Sequence, residues 1–181
     1  MKPDFETNTN WIVITGAPSS GKTTVLDELA KKGYHTEPET ARLFIESEMA
    51  KGRPLEDIKA DALHLQIGIL KTKIDRETRL NPEELVLFDR GIPDTIAYCE
   101  LCHLSTKIVL QDCYHFKYKY VFHFDRLPLI KDGTRIDTEE DADFLDNHLE
   151  KAYQSLGYTV IRVPVMSIKD RVDFILGYLP A

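Results

Sequence analysis

The stretch Gly16-Ala17-Pro18-Ser19-Ser20-Gly21-Lys22-Thr23 constrains this chain more than any other. Its spacing is G-x-x-x-x-G-K-[ST], the pattern of a phosphate-cradling P-loop. Trp11-Ile12-Val13-Ile14 precedes it and reads as a short buried strand; Val25 to Lys32 follows it and reads as a helix. A loop of this kind between strand and helix points successive backbone N–H groups inward, where the helix N-terminus adds partial positive charge. Gly16 and Gly21 permit the tight backbone, Lys22 supplies a full charge to β- and γ-phosphates, and the Thr23 hydroxyl suits Mg²⁺. Ala17, Pro18, Ser19, Ser20 and Thr24 complete the expected nucleotide-binding stretch.

With 181 residues and 43% hydrophobic content the chain can bury a core, and it reads as a single domain over 1–181 with residues 1–10 expected to be loose. A net charge of −7 and the absence of a long basic run argue against a nucleic-acid partner. No apolar run reaches about 18 residues, which argues against a membrane span. The polar, acidic segment Met1–Asn10 does not read as a signal or transit peptide, so a cytoplasmic location is expected, and a homo-oligomer is compatible with the sequence. The three cysteines then read as reduced thiols. Cys99-Glu100-Leu101-Cys102-His103 matches the C-x-x-C-H haem-attachment spacing but falls in a predicted helix. A zinc site from Cys99, Cys102, Cys113 and His115 would need a C-x-H pair, too close for ordinary zinc spacing, so packed thiols are expected instead.

Periodicity gives the remaining elements. Strands are expected at Trp11–Thr15, Tyr34–Thr36, Leu85–Phe88, Tyr120–Phe124 and Thr159–Val163. Helices are expected from Gly21 to Lys32, from Glu37 to Ala50, as one long helix from Leu55 to Arg79, from Gly91 to Cys102 and from Thr106 to Cys113. In the long helix, Leu63, Ile67, Leu70 and Ile74 share one apolar face. Thr138/Asp141 and Ser167/Asp170 have capping-box spacing ahead of two amphipathic helices. Alternation of strand and helix argues for an α/β domain with a mostly parallel sheet. In such sheets ligands bind at the carboxyl ends of the strands.

Further polar groups follow those strand ends. Asp89 closes an apolar run as a Walker B carboxylate does and is the expected Mg²⁺ partner of Thr23; Arg90 beside it balances charge, touches a phosphate or is a plain surface arginine. Glu37, Glu39 and Arg42 follow the second strand, where a carboxylate can take a proton from an acceptor hydroxyl and an arginine can orient it or grip a phosphate. The same acids also suit a helix first turn. Arg126, Lys131 and Arg135 lie in the loop after the fourth strand, where arginines can close over a transferring phosphoryl group; Arg126 is grouped with the nucleotide contacts and Arg135 with the catalytic ones.

GAPSSGKTT, EPETARLF, LFDRGIPDTIAY, KDGTR, LGYTVIRVP and RVDFIL together resemble the AAA-ATPase-like P-loop family related to the nicotinamide riboside kinase domain of bacterial NAD regulators, from about Trp11 to Leu179. The resemblance implies a three-layer α/β/α P-loop NTPase fold, nucleoside/nucleotide-kinase-like, with a five-stranded parallel sheet of order 2-3-1-4-5. It implies that Lys22 and Thr23 hold ATP and Mg²⁺, that Asp89 supports the metal or acts as base, and that Arg135 belongs to a lid. Glu37-Pro38 also resembles the pair in deoxynucleoside kinases whose Glu is the general base, without the tryptophan that follows there. The expected activity is phosphoryl transfer from ATP to a small nucleoside- or nucleotide-like acceptor, with Glu39, Glu37 or Asp89 as base. The alternative is a nucleotide-binding switch that hydrolyses ATP or GTP slowly. No N-K-x-D motif for guanine is present, which favours ATP.

Overall fold

The computed structural model describes residues 4–127 and 138–179. Five strands form the main sheet: β1 (Ile12–Thr15), β2 (His35–Glu37), β3 (Val86–Asp89), β4 (Tyr120–Phe124) and β5 (Val160–Val163). Every pairing is parallel and the order is β2-β3-β1-β4-β5. Ile12–Thr15 is fully buried, as an apolar strand covered on both faces should be. Alternate residues serve different layers. Val13, Phe88 and Val121 pack with Leu70, Ile96 and Tyr153 on one face. Ile12, Ile14, Leu87, Phe122 and Phe124 pack with Val25, Leu29, Val172 and Ile175 on the other.

The helices are α1 (Lys22–Lys31), α2 (Thr40–Ala50), α3 (Leu55–Ala60), α4 (Ala62–Glu77), α5 (Asp94–Leu101), α6 (Lys107–Leu110), α7 (Glu139–Ser155) and α8 (Ile168–Leu176). Both capping signals are realised: Thr138 and Asp141 form a reciprocal box, and the Ser167 side chain accepts from the Asp170 N–H. No helix among the described residues is long and apolar enough to cross a membrane.

Five expectations are corrected. The helix predicted over Leu55–Arg79 breaks at Asp61, whose side chain leaves helical backbone to accept the His64 N–H at 3.2 Å and cap α4. The stripe predicted on that helix is only part of its inner face: Leu70 is buried and Ile74 packs against the core, but Leu63 is 50% exposed, and Gln66, Ile69, Lys73 and Glu77 are buried as well. The second helix begins at Thr40, because Glu37 extends β2 opposite Phe88 and the residue before Pro38 is pushed towards extended backbone. Residues 4–10 are not loose. Thr7–Asn8 pairs in parallel with Phe116–Lys117, and the Phe5 ring meets Tyr114 and Tyr158 edge-on. The helices expected over Gly91–Cys102 and Thr106–Cys113 are shorter, the second giving way to a 3₁₀ turn at Asp112–Tyr114.

The N-terminal strap therefore contributes to stability. Phe5→Ala should lower unfolding free energy by about 1–2 kcal/mol, the value of partial burial of a large apolar side chain. Urea denaturation with an unchanged m-value checks this; a midpoint equal to the parent's would show the strap to be loose after all.

Candidate functional site

Gly16 leaves β1 at φ +137°, where a Cβ would lie 2.7 Å from the Phe124 carbonyl oxygen. Only glycine fits there. Ser19 and Gly21 also take positive φ, and Gly21 opens α1. The curl lets the Lys22 ammonium fold into the loop, donating to Gly16 O (3.0 Å), Ala17 O (2.9 Å) and Ser20 Oγ (3.0 Å). Burial pushes this lysine down to about 7, the Arg90 charge adding to the effect and Asp89 and Glu39 opposing it. Arg171 of α8, itself buried, supports the loop from outside by donating to Ser20 O, Asp125 O and Pro164 O. Pro18 to Thr24 line a cavity of about 300 Å³ that is closed by Glu39, Asp89, Arg90 and Tyr98. Ala17 does not reach this cavity but packs against Ala97, Leu145 and Leu149 beneath it.

Thr23 Oγ1 donates to Asp89 Oδ2 at 2.8 Å. The other carboxylate oxygen, Asp89 Oδ1, is buried without a hydrogen-bond partner among the described residues. A hydroxyl and a carboxylate meeting at the mouth of a phosphate cradle, with one oxygen unsatisfied, is a donor set that fits Mg²⁺ and its water ligands. Burial raises the Asp89 carboxyl above its usual range, and Lys22 and Arg90 offset this in part.

Arg90 is the residue the sequence most undervalued. It takes φ +70° and its side chain is 5% exposed. Nε donates to Glu39 Oε1 (3.0 Å), and Nη1 donates to Gly16 O (3.0 Å) and Asp94 Oδ1 (3.2 Å). Asp94 is fully buried and also accepts from Thr15 Oγ1 (2.6 Å), the Gly91 N–H (3.0 Å) and Tyr153 OH (2.5 Å). Burial pushes the Asp94 carboxyl up, but Arg90, Lys73 and these hydrogen bonds hold it below the usual carboxylate range.

Glu39 precedes α2 and faces both the P-loop cavity and a second cavity of about 370 Å³ that adjoins it. Burial pushes this carboxyl up, and the charges of Arg90, Lys22 and Lys73 more than reverse the effect. The second cavity is walled by apolar Ile45, Leu65, Ile69 and Leu101 and by polar Gln66, Lys73, Thr95 and Tyr98. Gln66, 5% exposed, borders this cavity. Glu39, Arg90 and Tyr98 are common to both cavities and mark their junction.

Other expected site residues lie elsewhere. Arg42 points outward, 76% exposed, and pairs with Glu46 one turn on; the helix start at Thr40 turns it away. Glu37 is held by Arg76 of α4 (3.2 Å) and His35 (3.1 Å) and lines neither cavity. Arg126 pairs with Asp143 and donates to Glu139 O at the start of α7. Lys131 and Arg135 lie outside the described residues. Cys99 and Cys113 are buried free thiols raised by burial to about 11 in Cys99 and further in Cys113, while Cys102 borders the second cavity. No group of three or more metal-ligating side chains occurs among the described residues.

A family model described as an AAA domain matches residues 11–171. The chain belongs to that family. No curated protein matches the sequence. Among solved structures, it is similar to a deoxyadenosine kinase from M. mycoides with the products dCMP and a flexible dCDP bound, at 18% identity and TM-score 0.66, over 92% of this chain and 97% of that one. It is similar to NadR protein in complex with NR, at 18% identity and TM-score 0.67, over 94% of this chain and 51% of that one. It is also similar to thymidylate kinase from Ehrlichia chaffeensis, at 16% identity and TM-score 0.66, over 94% and 97%. At these identities the likeness is one of fold: a three-layer P-loop kinase architecture.

Lys22 generates a prediction about nucleotide binding. In the free protein its ammonium titrates at about 7. Triphosphate charge favours the protonated form and raises that value. Between the two values the complex therefore holds more protons than the free protein, so binding takes up a proton and affinity falls as pH rises above about 7, by at most about tenfold per unit. Calorimetry in two buffers of different ionisation enthalpy should show uptake approaching about one proton near pH 8.5, and none from this source in Lys22→Met. Equal proton counts in the two proteins would contradict it.

Proposed function

We propose that the protein transfers the γ-phosphoryl group of ATP to a small nucleoside- or nucleotide-like acceptor. The observation that carries this reading is the second cavity, which opens on the phosphate cradle through Glu39, Arg90 and Tyr98. A nucleotide switch needs only the first. A cavity of nucleoside size, with apolar walls and a few directed polar groups, suits a second substrate.

The backbone N–H groups of the 16–23 loop and Lys22 would receive the triphosphate, in a cavity that Glu39 also lines. Thr23 and Asp89 would hold Mg²⁺, which neutralises phosphate charge in such sites. Lys22 and Arg90 place positive charge where negative charge builds up during transfer, in a site already organised before reaction. Of the three candidate bases, Glu39 is the carboxylate between the cavities, Asp89 is engaged with Thr23, and Glu37 is tied to Arg76. Glu39 is thus best placed to accept a proton if the acceptor presents a hydroxyl, and it fixes the Arg90 guanidinium whether or not it does so.

Acceptor-dependent ADP release tests the reading. Lys22→Ala should lower its kcat by about 10²–10³-fold, and Glu39→Gln by about 10²-fold. Arg42→Ala should stay within about twofold of the parent, because an exposed i,i+4 pair contributes little. Full activity in Lys22→Ala would sink the mechanism. A large loss in Arg42→Ala would show that α2 has been assigned the wrong inward face.

A further inference from the structure

Lys73 is a buried cation that the transfer scheme above leaves without a role. It is 5% exposed and borders the second cavity. Its ammonium donates to Gly91 O (2.6 Å) and Thr95 Oγ1 (3.2 Å), both neutral. An ammonium has three N–H donors, so one remains. Among the described residues no carboxylate pairs with it, and Asp94, Glu77 and Glu39 act on it only at longer range.

Each of those acids is committed elsewhere. Asp94 takes four donors from Thr15, Arg90, Gly91 and Tyr153. Glu39 is paired with Arg90. Glu77 accepts from Tyr118 OH at 2.7 Å, and burial pushes its carboxyl up to about 7, so near neutrality it carries only part of a charge. Burial likewise lowers Lys73. A buried ammonium served only by neutral oxygens is costly to keep charged, and an anionic ligand would offset that cost.

Position narrows the ligand. The Lys73 ammonium is tied to Gly91 and Thr95, and Gly91 directly follows Arg90, which lines both cavities. An acceptor's reacting group has to approach Arg90 to meet the P-loop cavity. Lys59 adds a second cation at the wall, again without a carboxylate partner among the described residues.

Building on the kinase reading, we propose that the acceptor's reacting group is itself an anion, a phosphate monoester received by Lys73 beside Arg90, so that the protein is a nucleoside-monophosphate-type kinase. A terminal oxygen of the acceptor phosphate attacks Pγ of ATP. The bond from Pγ to the β–γ bridging oxygen breaks, and its electron pair leaves with ADP. A phosphate monoester is largely unprotonated on the attacking oxygen near neutral pH, so no general base is required. Glu39 then serves by holding Arg90 in place.

The test compares matched nucleosides, their 5′-monophosphates and carboxylate-bearing analogues as acceptors, each with ATP and Mg²⁺, reading kcat/KM for ADP release. The monophosphates should exceed the nucleosides by about tenfold or more, Lys73→Met should reduce that ratio to about threefold or less, and Lys73→Arg should restore a large part of it. The wild-type ratio decides the matter even if Lys73→Met folds poorly. Nucleosides turned over as well as or better than monophosphates would overturn the proposal while leaving the kinase reading intact. Preference for carboxylates would overturn the phosphate assignment. Stimulation by no acceptor would remove both the proposal and the reading it rests on.

Discussion

The site depends on one buried guanidinium. Arg90 reaches from the end of β3 to the first P-loop carbonyl, to Glu39 ahead of α2 and to Asp94 at the start of α5. These contacts join three separate strand ends to one charge. A buried arginine is tolerated only when its donors are met and its charge is balanced, and here two carboxylates and a carbonyl do so. The same demand fixes the Arg90 backbone at positive φ, with Gly91 held by Lys73, Asp94 and Tyr153. Removing either carboxylate would leave a buried guanidinium N–H without its acceptor, so the arrangement behaves as a unit.

Around that bolt the molecule keeps a layer of ionisable groups that an ordinary core would exclude. Lys73 and Glu77 occupy the inner face of α4; Tyr118 links Glu77 to the turn after β3, and Tyr153 joins Gly91 of that turn to Asp94. Each titrates away from its usual value chiefly because of burial. Such clustering beside a cavity is what a site for charged reactants requires, since fixed charges and dipoles act more strongly there than in water.

How much of this was legible in the sequence follows from range. Gly16–Thr23 announces itself because glycine, lysine and threonine act through local backbone geometry, and Asp89 because an apolar run ends in a carboxylate. The capping box at Thr138 and the N-cap at Ser167 are equally local and were legible too. Glu39 and Arg42 could not be told apart by pattern. Two residues separate them, and only the helix start at Thr40 decides that Glu39 faces the cavity and Arg42 the solvent. The inner face of α4 was read only in part because periodicity follows apolar residues such as Leu70, whereas this helix also turns Gln66, Lys73 and Glu77 inward, Lys73 to Gly91 and Thr95 and Glu77 to Tyr118. The break at Asp61 hid inside one continuous amphipathic pattern, since an aspartate suits both a helix surface and an N-cap. Arg171, more than a hundred residues from Ser20 in sequence, gave no local signal at all.

The central claim is that two adjoining cavities bring a phosphoryl donor and an organic acceptor together at Glu39 and Arg90. The most direct measurement is single-turnover transfer from γ-labelled ATP in the presence of a mixture of nucleosides and nucleoside monophosphates, with the fate of the label followed by separation of products. The account predicts label in an organic phosphate formed at the same rate as ADP. Label appearing only in inorganic phosphate, at a rate indifferent to the acceptors, would contradict it.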